Sequence, residues 1–202
     1  MSLPQGNFDI LFDGVVSIVR AYSATLATED QFSVHDDYFR PWTVESMDGD
    51  HVFIFLASLD PDPKRSGAWT YHEYTVGIWL EVISIQSGAY DVSEKTYVTS
   101  DAMASRRCRR LVQALMSVLY KYSNLWLNTT PGEVVSRRPM INVQPYPPQA
   151  LESEKAAVGM RINLDVGTVF EPTTDSGIDL ELISVSANGD NAFGADVDVP
   201  QS

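Results

Sequence analysis

Two stretches of the chain repeat apolar residues at offsets of three and four. Phe8, Leu11, Phe12, Val15, Ile18, Val19, Tyr22 and Leu26 predict an amphipathic helix over residues 8–27, weakened slightly by Gly14. Ala104, Cys108, Leu111, Val112, Leu115, Val118, Leu119 and Tyr122 predict a second and clearer helix over residues 100–124. Ser100 or Asp101 is expected to cap it, and an aspartate in the first turn suits the helix dipole.

Elsewhere the periodicity is two, or there is none. Residues 51–58 (HVFIFLAS) read as a largely buried strand, preceded by an expected strand start at 42–46 and a turn at 47–50 with the hairpin signal Asp48-Gly49. Residues 69–85 are rich in aromatic and β-branched side chains without a helical stripe, which predicts a long strand at the sheet centre, bulged at Gly77. A short strand is expected at 140–143. Val158, Met160, Ile162, Leu164 and Val166 alternate with polar or small residues, as in an antiparallel strand with one wet face. Ile178, Leu180 and Leu182 alternate likewise and predict its partner in a terminal hairpin.

The intervals read as irregular: 28–41, the proline-containing loop at 60–68, the connector 87–99, and the loop 146–154, whose flanking and internal prolines exclude regular structure. Both proline-rich loops are expected to project and contact other chains. Trp126 and Leu127 are expected to pack back on the core before Pro131-Gly132 turns the chain. Runs of strands between separated helices predict an α+β fold, a mixed, largely antiparallel sheet with two amphipathic helices on one face. The chain divides into a single domain over 1–186 and an irregular acidic C-terminal tail over 187–202.

Charge changes this picture at one place. The net charge is -13, yet residues 100–124 hold five basic residues and one acid, +4, so the rest carries -17. Arg106, Arg109 and Arg110 face away from the apolar stripe and Arg107 lies on its flank. They read either as a solvated helix face or as a docking surface for acidic protein or phosphate, to which guanidinium groups bind in a bidentate fashion. The acidic remainder repels nucleic acid and complements the arginines of a neighbouring copy. Cys108 is the single cysteine and sits on the apolar stripe, so it packs as a small hydrophobe and forms no intrachain disulfide. No stretch has the length of a membrane span and the start lacks a signal-peptide pattern, which predicts a soluble, unexported protein.

Signs of catalysis are missing. The glycines never take dinucleotide or P-loop spacing, no serine sits in G-x-S-x-G, and His35-Asp36-Asp37 is the sole local cluster with metal-ligand chemistry, read as a solvated loop. Paired acids such as Glu152 and Glu154, or Asp196 and Asp198, lie in loop or tail composition. No enzymatic activity, metal or cofactor is expected.

Taken in order, the helix at 8–27, the strand YHEYTVGIWLEVI, the helix SRRCRRLVQALMSVLY, the segment YPPQALESEKAAVGMRINLDV and the closing DLELISV resemble the tail terminator, or neck terminator, proteins of long-tailed bacteriophages. The likeness is one of order and texture over residues 8–185. It implies a virion protein assembled in the host cytoplasm, forming a ring, expected to be a hexamer. The ring would cap the tail tube, end its growth and meet the head-side connector, while genomic DNA passes through without specific binding. The family has no invariant motif, so no residue role carries over. The alternatives are a head-completion or connector-adaptor protein, and a nucleic-acid-binding module using the four arginines.

Overall fold

The computed structural model describes residues 6–36, 47–61, 72–91, 95–129, 134–146, 149–150 and 154–170. Both stripes form helices, α1 (Asn7–Thr25) and α2 (Ser100–Leu119). In α1 the Asp9 carboxylate accepts from the N–H of Gly6, the N-cap, and occupies an otherwise orphaned donor. The cap of α2 lies one residue before the first of those expected: Thr99 is its N-cap, and Ser100 and Asp101 lie in its first turn. It ends at Leu119, and a 3₁₀ turn, Tyr122–Asn124, replaces the last predicted turn.

Six strands of the described residues form one sheet, built on β1 (Ser33–His35), β2 (Gly49–Pro61), β3 (His72–Ser87), β8 (Lys155–Phe170) and β6 (Val135–Pro145), in that spatial order, with β7 (Gln149–Ala150) also paired to β8. All pairs are antiparallel except β1 with β2, so the sheet is mixed and mostly antiparallel. β3 is central, as its composition predicts, and it pairs with β8 without interruption from His72↔Phe170 to Ser87↔Lys155.

The even-numbered side chains of the three long strands point one way. Val52 and Ile54, then Val76, Ile78, Leu80 and Val82, then Val158, Ile162, Leu164 and Val166 form one buried cluster with Leu11, Val15, Ile18 and Val19 of α1 and Ala104, Cys108, Leu111, Val112, Leu115 and Leu119 of α2. Both helices therefore lie on one face of the sheet, and the fold is α+β. Leu127 joins this core and Trp126 packs against it. All of these residues belong to one compact unit, Met1–Phe170.

Several local expectations are corrected. The polar stretch after α1 holds a 3₁₀ turn, Thr28–Asp30, and the parallel strand β1, held near α1 by the buried Ser23 hydroxyl, which donates to the Phe32 carbonyl and accepts from its N–H. Gly49 and Asp50, expected in a turn, already pair within β2. The extra residue expected at Gly77 is on the partner strand: Leu56 pairs with Ile78 and Ser58 with Gly77, leaving Ala57 as the bulge. A Cβ on Gly77 would lie 2.6 Å from the Ser58 hydroxyl, so a larger residue there would require that hydroxyl to turn aside. The connector after β3 contains a second two-stranded sheet, β4 (Ala89–Asp91) with β5 (Thr96–Val98). Within the loop 146–154, expected to exclude regular structure and to project, the described residues meet the sheet: Gln149 and Ala150 pair with β8 as β7, and the Tyr146 N–H donates to the Gly159 carbonyl. The expected strand start at 42–46, most of the loop 60–68, the second strand of the terminal hairpin and the tail lie outside the described residues.

Candidate subunit or partner interface

Helix periodicity divides the four arginines. Arg106, Arg109 and Arg110 are exposed on the side of α2 opposite the core, and none makes a hydrogen bond or ion pair with a described residue. Arg107 turns inward and is held by its own chain at each of its three nitrogens. Its Nε donates to Asp50 Oδ2 at 2.5 Å, its Nη1 pairs with Asp30, and its Nη2 donates to the Glu29 carbonyl at 3.2 Å. The Arg107 side chain is 30% exposed and that of Asp50 3%.

Strand phase explains the pairing. Asp50 shares the even-numbered face with Val52 and Ile54, so β2 carries its carboxylate into the helix-covered side of the sheet. Opposite it, Ser84 donates to Asp50 Oδ1 at 2.6 Å, and Gln86 donates to the same oxygen at 3.4 Å. The buried charge thus has both oxygens hydrogen-bonded and a guanidinium beside it, which is how such a charge is tolerated. Burial alone would lower the Arg107 pKa, but the bonds to Asp30 and Asp50 outweigh it and the value rises. Cys108, one residue on, is pushed up to about 12 by desolvation and then by the Asp50 charge. It is an inert thiol whose Sγ lies 3.7 Å from the Val82 carbonyl.

Around this ion pair α2 leaves a cleft of about 510 Å³ against the end of the sheet and the turn after α1, lined by Gln31, Gly49, Gln86, Met103, Arg106 and Arg110, with Glu29, Asp50 and Arg107 completing it. A smaller hollow of about 260 Å³ lies along the helix beside it, lined by Arg110, Leu111 and Ala114 from α2 and by Tyr22 and Leu26. Two of the three outward arginines, Arg106 and Arg110, border the larger cleft, and Arg109 is exposed beside them.

The odd-numbered sheet face has different chemistry. Arg161 pairs with Glu81 at 2.6 Å, its guanidinium carbon lies 3.8 Å from the centroid of Trp79, and the Tyr146 hydroxyl donates to the same Glu81 oxygen at 3.2 Å. Desolvation raises the Tyr146 pKa, and the Glu81 charge adds to it against the opposing Arg161. Asn163 Oδ1 is buried nearby and has no hydrogen-bond partner among the described residues. At one end of this face His35 is no solvated loop residue. It stacks on Phe53, and its Nε2 lies 3.1 Å from His51 Nδ1. His51 Nε2 must donate to the Asp48 carbonyl at 3.0 Å, so in the neutral pair His51 Nδ1 accepts from His35. Among the described residues no three His, Cys, Asp or Glu side chains are grouped to hold a metal ion. No helix among them is long and apolar enough to cross a membrane.

Sequence reasoning found the three outward arginines and missed the partners of the fourth. A signal existed: an aspartate at Asp50 and a serine at Ser84 interrupt apolar positions in core phase, and an acid there needs a cation. Which cation was not readable, because Arg107 is 57 residues away. No protein-family model matches the chain, and no curated protein matches it.

Proposed function

We propose that the chain is a structural subunit of a bacteriophage neck, which assembles as a hexameric ring on the end of the tail tube, stops tube growth and meets the head-side connector. The observation that carries this reading is the ridge of three arginines without a partner among the described residues, on a chain that is otherwise strongly acidic. A two-fold contact through that ridge would set arginine against arginine. A head-to-tail contact sets it against acids elsewhere on the next copy, and contacts of that kind close into rings or run on as filaments. The α+β architecture, with two helices on one face of the sheet, agrees with the order of elements that suggests the terminator family. The negative remainder of the subunit suits a channel through which DNA slides without being gripped. No cofactor, catalytic step or membrane enters this reading.

The test is electron microscopy of the purified protein added to tail tubes growing from purified tube subunits. The expected result is a sixfold ring at tube ends and tubes of arrested length. Tubes that elongate unhindered would refute the terminator reading, and a ring that binds a head-side connector but never a tube would transfer the protein to the connector-adaptor class. Retention of duplex DNA with steep salt dependence, abolished by replacing Arg106, Arg109 and Arg110 with glutamate, would instead identify a nucleic-acid-binding module.

A further inference from the structure

We infer that the cleft beside Arg107 seats an extended acidic segment of a second copy of this chain, with two carboxylates spaced one residue apart held by Arg106 and Arg110. The inference rests on the assembly reading and names what that assembly contact is. Arg107 is bonded at all three of its nitrogens, to Asp50, Asp30 and the Glu29 carbonyl, so its own chain fixes it in the floor of the cleft. Arg106 and Arg110 border the same space, are exposed, and have no partner among the described residues.

Spacing decides what fits. Residues four apart on a helix are separated by about 6 Å along its axis. Alternate residues of an extended strand are about 6.6 Å apart and point the same way. An acid-x-acid segment lying along α2 therefore presents one carboxylate to each guanidinium, in the charge-assisted bidentate geometry that arginine favours. The chain carries this spacing at Asp60/Asp62, Glu152/Glu154, Asp179/Glu181 and Asp196/Asp198, which makes another copy a chemically matched partner. Gln31 and Gln86 line the cleft with their amide nitrogens already donating within the chain, to the Leu26 carbonyl and to Asp50 and Ser84, which leaves their carbonyl oxygens to accept from a strand's N–H groups.

The experiment is light-scattering mass measurement of the full chain and of Arg106→Glu/Arg110→Glu, with circular dichroism as the control for folding. Wild type should give an oligomer, and the charge-reversed protein should be a folded monomer of 22.4 kDa. A blocked pentapeptide of sequence ADVDV should dissociate the wild-type oligomer, whereas its counterpart ANVNV and inorganic phosphate at equal ionic strength should not. Arg106→Lys/Arg110→Lys should assemble but dissociate at a lower salt concentration, since each lysine offers a single point contact. The inference is overturned if the charge-reversed protein keeps the wild-type mass, if wild type is itself monomeric, or if phosphate competes as well as ADVDV. Tube capping is scored separately. A protein that caps tubes with an oligomer indifferent to the substitutions overturns this inference alone. One whose mass responds as expected but which leaves tubes growing overturns the neck reading.

Discussion

Gly14 shows how a single residue can mislead when only its helix propensity is weighed. In the middle of α1 a glycine costs about 1 kcal/mol relative to alanine, which reads as a weakness. The structure gives its reason: a Cβ there would lie 2.2 Å from the Leu127 carbonyl oxygen, where the chain after α2 passes against α1 with Leu127 at φ 50°. Gly14→Ala should therefore destabilise the protein by about 1–3 kcal/mol in urea unfolding despite the better helix former, because backbone must move to admit the methyl. Arg107 carries a larger effect. Arg107→Ala would leave the Asp50 carboxylate buried with only Ser84 and Gln86, and should cost about 3 kcal/mol in the same measurement. Arg106→Ala should fall within about 0.5 kcal/mol of wild type as a monomer. Cys108 gives the pH dependence. Its thiol is ordinary, near 9.0, when unfolded and is held at about 12 in the native state, so its contribution is complete below pH 9 and is lost as pH rises toward 12. Between those values wild type should lose up to about 1.4 kcal/mol per pH unit relative to Cys108→Ala. Parallel stability curves for the two proteins from pH 8 to 10.5 would show that the thiol does not titrate as described.

At the scale of elements, legibility followed length and period. The stripe of α2 and the alternation of β8 each repeat enough times to fix both type and facing, and the structure places their apolar residues in one cluster. β1 has three residues and β7 two, too few for any period, and both exist because a longer neighbour supplies the ladder: β2 for one, β8 for the other. The Ala57 bulge was anticipated at Gly77, one strand away, because sequence shows the glycine that yields space and hides the residue that takes it. The ladder also sets an order of local stability. β3 is paired along most of its length on both sides and is buried beneath α2, while β1 has a three-residue partnership at one end of the sheet path. Amide hydrogen exchange followed by mass spectrometry should find residues 76–83 the slowest to exchange, at rates set by global unfolding, and residues 33–35 faster by at least tenfold. Equal protection of the two would contradict the pairing described.

For the whole molecule, the α+β class and the one-sided placement of the helices follow from the order of elements and their facing. The candidate interface was readable as a set of outward arginines and not as a cleft, because its floor joins β2, β3 and α2 from three distant parts of the chain. If the arginine ridge makes the subunit contact, raising sodium chloride from 0.05 to 0.5 M should shift the oligomer toward monomer by at least tenfold in dissociation constant, since the Debye length shrinks from about 14 to 4 Å. The long partnership of β3 with β8 has a consequence of another kind, in time. β3 ends at Ser87 and β8 runs from Lys155 to Phe170, so a ribosome must add about 80 residues before the second side of the central strand has a mate. At roughly 5–20 residues per second that is an interval of about 4–16 s, during which an apolar, hydrogen-bonding edge stands open in the growing chain. Nascent chains arrested with residues 1–130 outside the ribosome should be cleaved by protease within β3, and those arrested after residue 170 has emerged should resist. The same interval is when a crowded polysome would bring one unfinished β3 against another, and it gives a chaperone that binds bare strands a defined moment at which to act.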